Sequence, residues 1–371
     1  MTNAQARLVK MPRTLTAALA LVQRFPALAT LPRYPLTSLP TPVAPLERLM
    51  QRAGVGPLWI KRDDLSGPLY GGNKPRKLEW LLGAARARGR RAVITFGGIG
   101  THHGLATALC ARDAGMGAVL VLLPQPVTAH VRQCLLLHHA SGAEMYLAGS
   151  VAGIVAKSLA RCTRGLLTGA PLAIIPTGGT SALGAIGYVN AALELADQVR
   201  AGLMPEPAAI IVALGSGGTL AGLALGCRLA GLQSRIVGVL VTDILPPSAA
   251  RLARLARATL ARLRRADPSL PAVDIRPDDI AIERDFLGGG YGAPTEAGIA
   301  AARAFADSEG IELEPTYTAK ALAALLDLAA RPTWRGRPLL FWNTYSSVDP
   351  AAAVSRLPDW HELPPAFHQF F

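Results

Sequence analysis

The chain has 371 residues, half of them hydrophobic, which exceeds one typical domain and is enough to bury a sizeable core. That composition excludes a predominantly disordered chain. Lys and Arg number 38 against 25 Asp and Glu, a net charge of +13, which suits anionic partners without choosing among nucleic acid, a membrane surface and a phosphorylated ligand.

The opening segment, MTNAQARLVKMPRTLTAALALVQRFPALATLP, sets basic residues before a short apolar run and has the outline of a weak signal peptide. Arg24 follows soon after, and no apolar run approaches the roughly 20 residues needed to span a membrane. The expectation is a soluble chain with a frayed or helical N-terminal extension. The four cysteines at 110, 134, 162 and 227 show neither CxxC spacing nor a clustered framework, so no zinc or other metal is expected and no disulfide is demanded. A reducing cytoplasm is the default compartment.

Next comes GGNKPRK, residues 71–77, ahead of the apolar LEWLLGAARA. Only six of the 38 basic residues are lysines, and two of them, Lys74 and Lys77, fall here. A lysine is usually a solvated charge. Arginine would serve any purpose needing only a permanent positive charge, so a lysine in this loop raises the question of amine chemistry.

Downstream, short β-branched runs alternate with alanine-rich helical stretches: AVITFGG then GLATALCARDAG, AVLVLLP then TAHVRQCLLLHHASG, AAIIVALG then GTLAGLALGCRLAG. The alternation predicts an α/β fold with parallel sheets covered by helices on both faces. Strands at 209–214, 235–241 and 338–343 are assigned to one sheet, and strands near 93, 118, 144 and 172 to another. Two doubly wound open-sheet lobes would share a cleft, where such sheets bind ligands. In PTGGTSALGAIGY, Thr180 or Ser181 reads as a helix N-cap. In IVALGSGGTLAGLALG a strand runs through Gly215, Ser216, Gly217, Gly218 and Thr219 into a helix, an arrangement that offers free amides and a helix N-terminus to a phosphate. The alternative is a tight turn with small residues for packing. The run from Arg251 to Arg265 puts most arginines opposite leucines, which reads as a solvated face, with an anion-binding helix as the lesser reading.

The series LPTPVAPLERL, WIKRDDLSGPLYGGNKPRKLEWLL, VITFGGIGTHHGLATA, IIPTGGTSALGAIGYVNAALEL, VALGSGGTLAGL, GGGYGAPTEAG and EPTYTAKALAALLDL resembles, in order, the pyridoxal-phosphate enzymes of the D-cysteine desulfhydrase and 1-aminocyclopropane-1-carboxylate deaminase family. The resemblance runs from about 35 to 345. It implies pyridoxal 5'-phosphate as cofactor, the tryptophan-synthase-β-like fold (fold type II), and a cleft between a large domain of residues 1–76 and 185–371 and a small domain of residues 77–184. It further implies Lys74 as the Schiff-base lysine, Asn73 beside the cofactor, and residues 215–219 around its phosphate. Lys74 needs an amine that is neutral near pH 7, which burial and nearby cations promote. Arg76 and Lys77 are candidate neighbours of that kind, or surface charges at a helix start.

Tyr291 and Tyr317 match the tyrosines of the family's YG-P and P-x-Y segments and are candidates to contact substrate or relay protons, the plainer reading being a buried tyrosine bonded to a backbone carbonyl. Thr318 stands where deaminase-type members place a glutamate, so Thr318 or Thr344 is the candidate partner of the pyridine nitrogen. Two segments depart from the family. Gly100-Thr101-His102-His103 replaces the usual Gln-Ser-Asn run, leaving Thr101 at the serine position that binds a substrate carboxylate or acts as nucleophile. His102 then replaces the asparagine facing the ring hydroxyl, with a group that can titrate near neutral pH. Asn343-Thr344-Tyr345-Ser346 replaces HTGG and loses two glycines.

The implied activity is a lyase that eliminates from a small amino acid to give a keto acid and ammonia, with β-replacement, racemisation or a specialised biosynthetic step as the alternative on the same cofactor. A non-catalytic cofactor- or nucleic-acid-binding protein is the reading from a different class. The expected partner is a small amino acid, not nucleic acid or membrane, and the expected assembly is a homodimer.

Overall fold

The computed structural model describes residues 19–371. The greater part of the expected N-terminal extension therefore lies outside the described residues. Its end is a short helix, Ala20–Arg24, that docks through buried Leu21, whose amide donates to Asn190 Oδ1, and through Arg24, which pairs with Asp197 at 2.7 Å.

Ten strands form two sheets: β1 Val43–Pro45, β2 Leu58–Lys61, β3 Ala92–Gly98, β4 Gly117–Leu123, β5 Glu144–Leu147, β6 Leu172–Ile174, β7 Ala209–Leu214, β8 Arg235–Leu240, β9 Ile280–Glu283 and β10 Leu339–Trp342. The six-stranded sheet has the order β1-β2-β10-β7-β8-β9 and the four-stranded sheet β5-β4-β3-β6. Every pair is parallel except β1 on β2. The two groups of strands expected from the sequence are those observed. The short β1, β2 and β9 complete the larger sheet.

Both faces of the larger sheet are covered, as its near-continuous apolar strands require. Alternate residues serve opposite faces. Ile210, Val212, Leu214, Leu340 and Trp342 join one core, beneath helices Ile186–Arg200, Gly218–Ala230 and Ala249–Ala266, while Ala209, Ile211, Leu339 and Phe341 join the other, against Glu296–Glu309 and Thr318–Ala330. The smaller sheet divides in the same way, Val93, Leu120 and Leu122 on one side and Ile94, Val119 and Val121 on the other. The C-terminal Leu363, Phe367 and Phe370 pack into the smaller sheet's core. Along Ala249–Ala266, Leu252, Leu260 and Leu263 are buried and Arg251, Arg254, Arg257, Arg264 and Arg265 exposed, so the arginine run forms a solvated face.

Each sheet reverses its winding once. From β3 the chain adds β4 and β5 on one side and then returns to place β6 on the other; from β7 it adds β8 and β9 and then returns with β10. Loops leaving the carboxyl ends of strands beside such a reversal diverge and leave a crevice. The loops that follow β3, β7 and β10 carry residues 99–101, 215–217 and 343–349, and these are three of the segments singled out by sequence.

Candidate active site

Lys74 occupies the first turn of the helix Asn73–Ala87. Chain entry into that helix is set by Gly72, whose φ of +75° only glycine adopts freely and where a Cβ would lie 2.4 Å from the Thr344 carbonyl oxygen. The Asn73 amide donates to that same carbonyl at 3.2 Å. Thr344 thus holds the start of the helix through its backbone. Ser346, which stands at one of the two lost glycine positions, fixes the turn: its Oγ accepts from the amides of Gly71 and Val348.

The next turn is anchored by charge. Arg76, 1% exposed, donates to Asp63 Oδ1 at 2.7 Å and to Glu194 Oε2 at 3.0 Å, while Lys61 donates to Glu194 Oε1 at 2.6 Å. Burial works against the Glu194 carboxylate, yet the Arg76 and Lys61 cations hold it at about 2. Lys77 is also buried, its Nζ donating to the Gly178 carbonyl at 3.2 Å. Neither Arg76 nor Lys77 is a surface charge at a helix start, and that alternative is corrected. Two anions neutralise Arg76.

Lys74 Nζ donates to Asn73 Oδ1 at 2.6 Å, and Asn73 Nδ2 donates to Thr219 Oγ1 at 3.2 Å. The lysine and the glycine loop after β7 are therefore joined through one amide side chain. Burial lowers the Lys74 amine to about 8, with Glu314 as the opposing anion. Burial, and after it the Lys74 charge, also lowers Lys77.

The loop carrying Gly215, Ser216, Gly217, Gly218 and Thr219 leads into the helix Gly218–Ala230. Gly217 has φ +93°, and a Cβ there would lie 2.4 Å from Leu252 Cδ2. Thr180 does not cap the helix Ile186–Arg200, as the sequence suggested. Its Oγ1 lies 2.6 Å from Ser216 Oγ and accepts from the Gly218 amide at 3.3 Å, so it lines the neighbouring loop. Ser181 makes a local turn, its Oγ accepting from the Gly184 amide.

Tyr317 and Tyr291 are brought together, Tyr317 Oη donating to Tyr291 Oη at 2.8 Å with the rings edge to face. The expected plainer partner, a backbone carbonyl, is not what Tyr317 takes. Burial raises both hydroxyls above the usual tyrosine range, and the Tyr317 ring closes over the place a Gly215 side chain would fill, at 3.3 Å. Thr318 is buried and commits its hydroxyl and amide to Glu314 Oε1 at 3.1 and 2.6 Å. Glu314 also accepts from the amides of Thr316 and Tyr317. Burial nonetheless raises this carboxyl, and its charge is felt at Lys74, Tyr291, Tyr317 and Tyr345.

Opposite lies the loop after β3. Thr101 caps the helix His102–Asp113, its Oγ1 accepting from the Gly104 amide. His102 Nδ1 lies 2.7 Å from Tyr70 Oη, and its ring stands edge-on to Tyr345. Burial, then the His130 and Lys74 charges, lowers His102 to about 3, so it stays neutral through the physiological range instead of titrating there. Tyr345 is raised to about 12 by burial. His103 is buried, with Nε2 2.9 Å from Thr95 Oγ1.

A lysine of depressed basicity, tied to a glycine-rich helix N-terminus whose first loop glycine lies under one of two paired tyrosines, has the parts needed to hold a phosphorylated aldehyde. The family profile described as pyridoxal-phosphate dependent enzyme matches residues 36–344. The chain belongs to the pyridoxal-phosphate-dependent enzymes. The chain is 34% identical over 323 residues to a D-cysteine desulfhydrase of Klebsiella pneumoniae strain 342, covering 85% of this chain and 94% of that protein. It is also 34% identical over 330 residues to a Pyrococcus abyssi protein provisionally named 1-aminocyclopropane-1-carboxylate deaminase, covering 88% and 93%. Among solved structures, one described as an ACC deaminase homologue superposes with a TM-score of 0.75 at 32% identity, covering 89% of this chain and 95% of that one.

The residues fit the cofactor of this pyridoxal-phosphate-dependent enzyme. The loop from Gly215 to Gly218 is a cradle that side chains would fill, since a Cβ at Gly218 would meet Thr180 Oγ1 at 2.9 Å. Lys74 is joined to that loop through its Asn73 link. Glu314 and Tyr70 were missed by sequence reasoning. Glu314 sits inside the quoted EPTYT segment, and only its four donors, gathered by the turn into the helix Thr318–Ala330, distinguish it from a surface acid.

Proposed function

We propose that this enzyme is a pyridoxal-phosphate-dependent lyase that eliminates a β leaving group from a small amino acid and releases a keto acid and ammonia. The observation that carries the reading is the chain from Lys74 through Asn73 to Thr219, which sets a weakly basic amine against an anion cradle. When bound, the cofactor supplies an electron sink for charge developing at the substrate Cα.

The residues of this chain supply the rest. Gly215 to Thr219 hold the phosphate with backbone amides at a helix N-terminus. Lys74 Nζ anchors the cofactor covalently, and once released it is the base that accepts the Cα proton. Thr101, with the first amides of its helix, receives the substrate carboxylate. Tyr291 Oη, which accepts from Tyr317 Oη, passes its own proton to the departing group and is reprotonated from Tyr317. Thr318 would be the partner of the pyridine nitrogen: with its own proton given to Glu314, its oxygen would accept from that nitrogen only when the nitrogen carries a proton. A neutral partner leaves less charge on the ring than a carboxylate would, which favours loss of a good β leaving group over ring opening.

The relatives bearing the desulfhydrase name make D-cysteine the first substrate to try. Purified enzyme given a panel of D- and L-amino acids with β leaving groups is expected to release equal amounts of keto acid and ammonia. Inverted or β-substituted amino acid as the main product would overturn the reading in favour of racemisation or replacement.

The same proposal includes a homodimer in the cytoplasm, tested by light scattering and fractionation. Among the described residues, no helix is long and apolar enough to cross a membrane. It also includes a large domain of residues 1–76 and 185–371 and a small one of 77–184, which the membership of the two sheets supports. Limited proteolysis tests that division.

A further inference from the structure

Three side chains that the proposed chemistry does not require as ligands converge beside the cleft. His130 and Cys134 stand four residues apart on the helix Ala129–Ala140, a spacing that puts both on one face. His102 meets them from the first turn of the helix His102–Asp113. His102 Nε2 lies 2.9 Å from His130 Nε2, which lies 3.6 Å from Cys134 Sγ, and all three atoms fall within 4.8 Å of one another.

We propose that His102, His130 and Cys134 form a binding site for a transition-metal ion of the zinc class. Zinc bonds of about 2.0–2.1 Å to nitrogen and about 2.3 Å to sulfur give tetrahedral ligand-to-ligand edges of about 3.3–3.6 Å. The observed separations bracket that range, and His130, at the surface, is free to swing the remaining distance. Two imidazoles and a thiol are a soft donor set, suited to Zn(II) or Cu(I) and poorly suited to magnesium or calcium.

The surroundings match what a metal-bound histidine requires. Such a ring is normally held at its other nitrogen by an outer partner that fixes its tautomer. Tyr70 Oη, buried and 2.7 Å from His102 Nδ1, is that partner. With Nδ1–H donated to Tyr70, Nε2 turns its lone pair toward His130 and Cys134. With that tautomer the proton between the two Nε2 atoms is the one on His130; on metal binding it moves to His130 Nδ1 by way of solvent, freeing the Nε2 lone pair for the ion, and the Cys134 thiol releases its proton to solvent. Exposed His130 gives the ion a way in, and three protein ligands leave a fourth position for water.

This inference stands apart from the lyase reading, since the ion binds whether or not any amino acid is turned over. Chelator-dialysed full-length holoenzyme would be titrated with Zn(II) against a chromophoric competitor, and separately with Co(II). One equivalent is expected to bind, with a thiolate-to-cobalt charge-transfer band in the near ultraviolet. Cys134→Ser should abolish that band, and Cys134→Ser and His130→Gln should each weaken Zn(II) binding at least tenfold. His361→Gln, at an exposed histidine remote in sequence, should leave binding unchanged. The band in the unsubstituted protein is independent of how well the variants fold. Absence of a cobalt-thiolate band, or Zn(II) binding that survives both substitutions, overturns the site.

Discussion

Asp63→Asn removes one negative charge from a buried cluster of two cations and two anions. Asp63 is 0% exposed and accepts from Arg76 Nε at 3.0 Å and Nη2 at 2.7 Å, from Tyr188 Oη at 2.8 Å, from Trp342 Nε1 at 2.7 Å and from Thr41 Oγ1 at 2.8 Å. Those donors come from the Lys74 helix, the helix Ile186–Arg200, β10 and the loop before β1. After substitution Arg76 and Lys61 must share Glu194, leaving one net positive charge without solvent. Removing one partner of a buried ion pair costs about 3–5 kcal/mol, and each orphaned donor about 1–3 kcal/mol, terms that overlap and do not sum. The expected loss is about 3–5 kcal/mol, read from the shift of the urea midpoint in far-ultraviolet circular dichroism. Adding Arg76→Met, which removes the unpaired cation, should recover at least about 1 kcal/mol. A loss under about 1 kcal/mol, or a double variant that is simply additive, would refute the claim that compensated charge holds this helix.

Three further outcomes follow from the site. Cofactor attachment to apoenzyme requires the neutral Lys74 amine, so its rate should rise with pH to a midpoint near about 8. In Glu314→Gln the anion that raises the Lys74 value is gone, so the midpoint should move lower, and an upward move in stopped-flow traces would contradict the assignment. Tyr317→Phe deletes the hydroxyl given to Tyr291 and should lower kcat by about 100-fold, the scale of a lost proton donor, while cofactor affinity stays within about twofold. Gly217→Ala forces a side chain into φ +93° and against Leu252; strain of about 1–3 kcal/mol at the cradle should weaken cofactor retention about tenfold or more on dialysis.

Much of the architecture was readable because buried parallel strands are uninterrupted apolar runs and their helices are not. Strands β3 to β8 and β10 stand where those runs stood, and the segments marked by Thr101, Gly215 and Thr344 lie at the crevice because sheet reversals put them there. The short β1, β2 and β9 were not read, since each is a few residues beside prolines or charged residues and stands outside the alternation of apolar run and helix. Buried charge was the main blind spot. Arg76 and Lys77 read as either cationic neighbours of Lys74 or surface charges, and their burial depends on Asp63, close by in sequence, and on Glu194 and Gly178, which are more than 100 residues away. The His102, His130 and Cys134 cluster escaped for the same reason, since its ligands come from two helices and a search for paired cysteines passes over it.

The central claim, that Lys74 is the covalent anchor, is tested most directly by borohydride reduction of holoenzyme followed by peptide mass spectrometry. Lys77 is the informative rival, being three residues away, buried and also lowered in basicity. The account predicts the reduced cofactor adduct on Lys74 alone, and its disappearance in Lys74→Ala. An adduct on Lys77 or another lysine, or one that persists in Lys74→Ala, would contradict it.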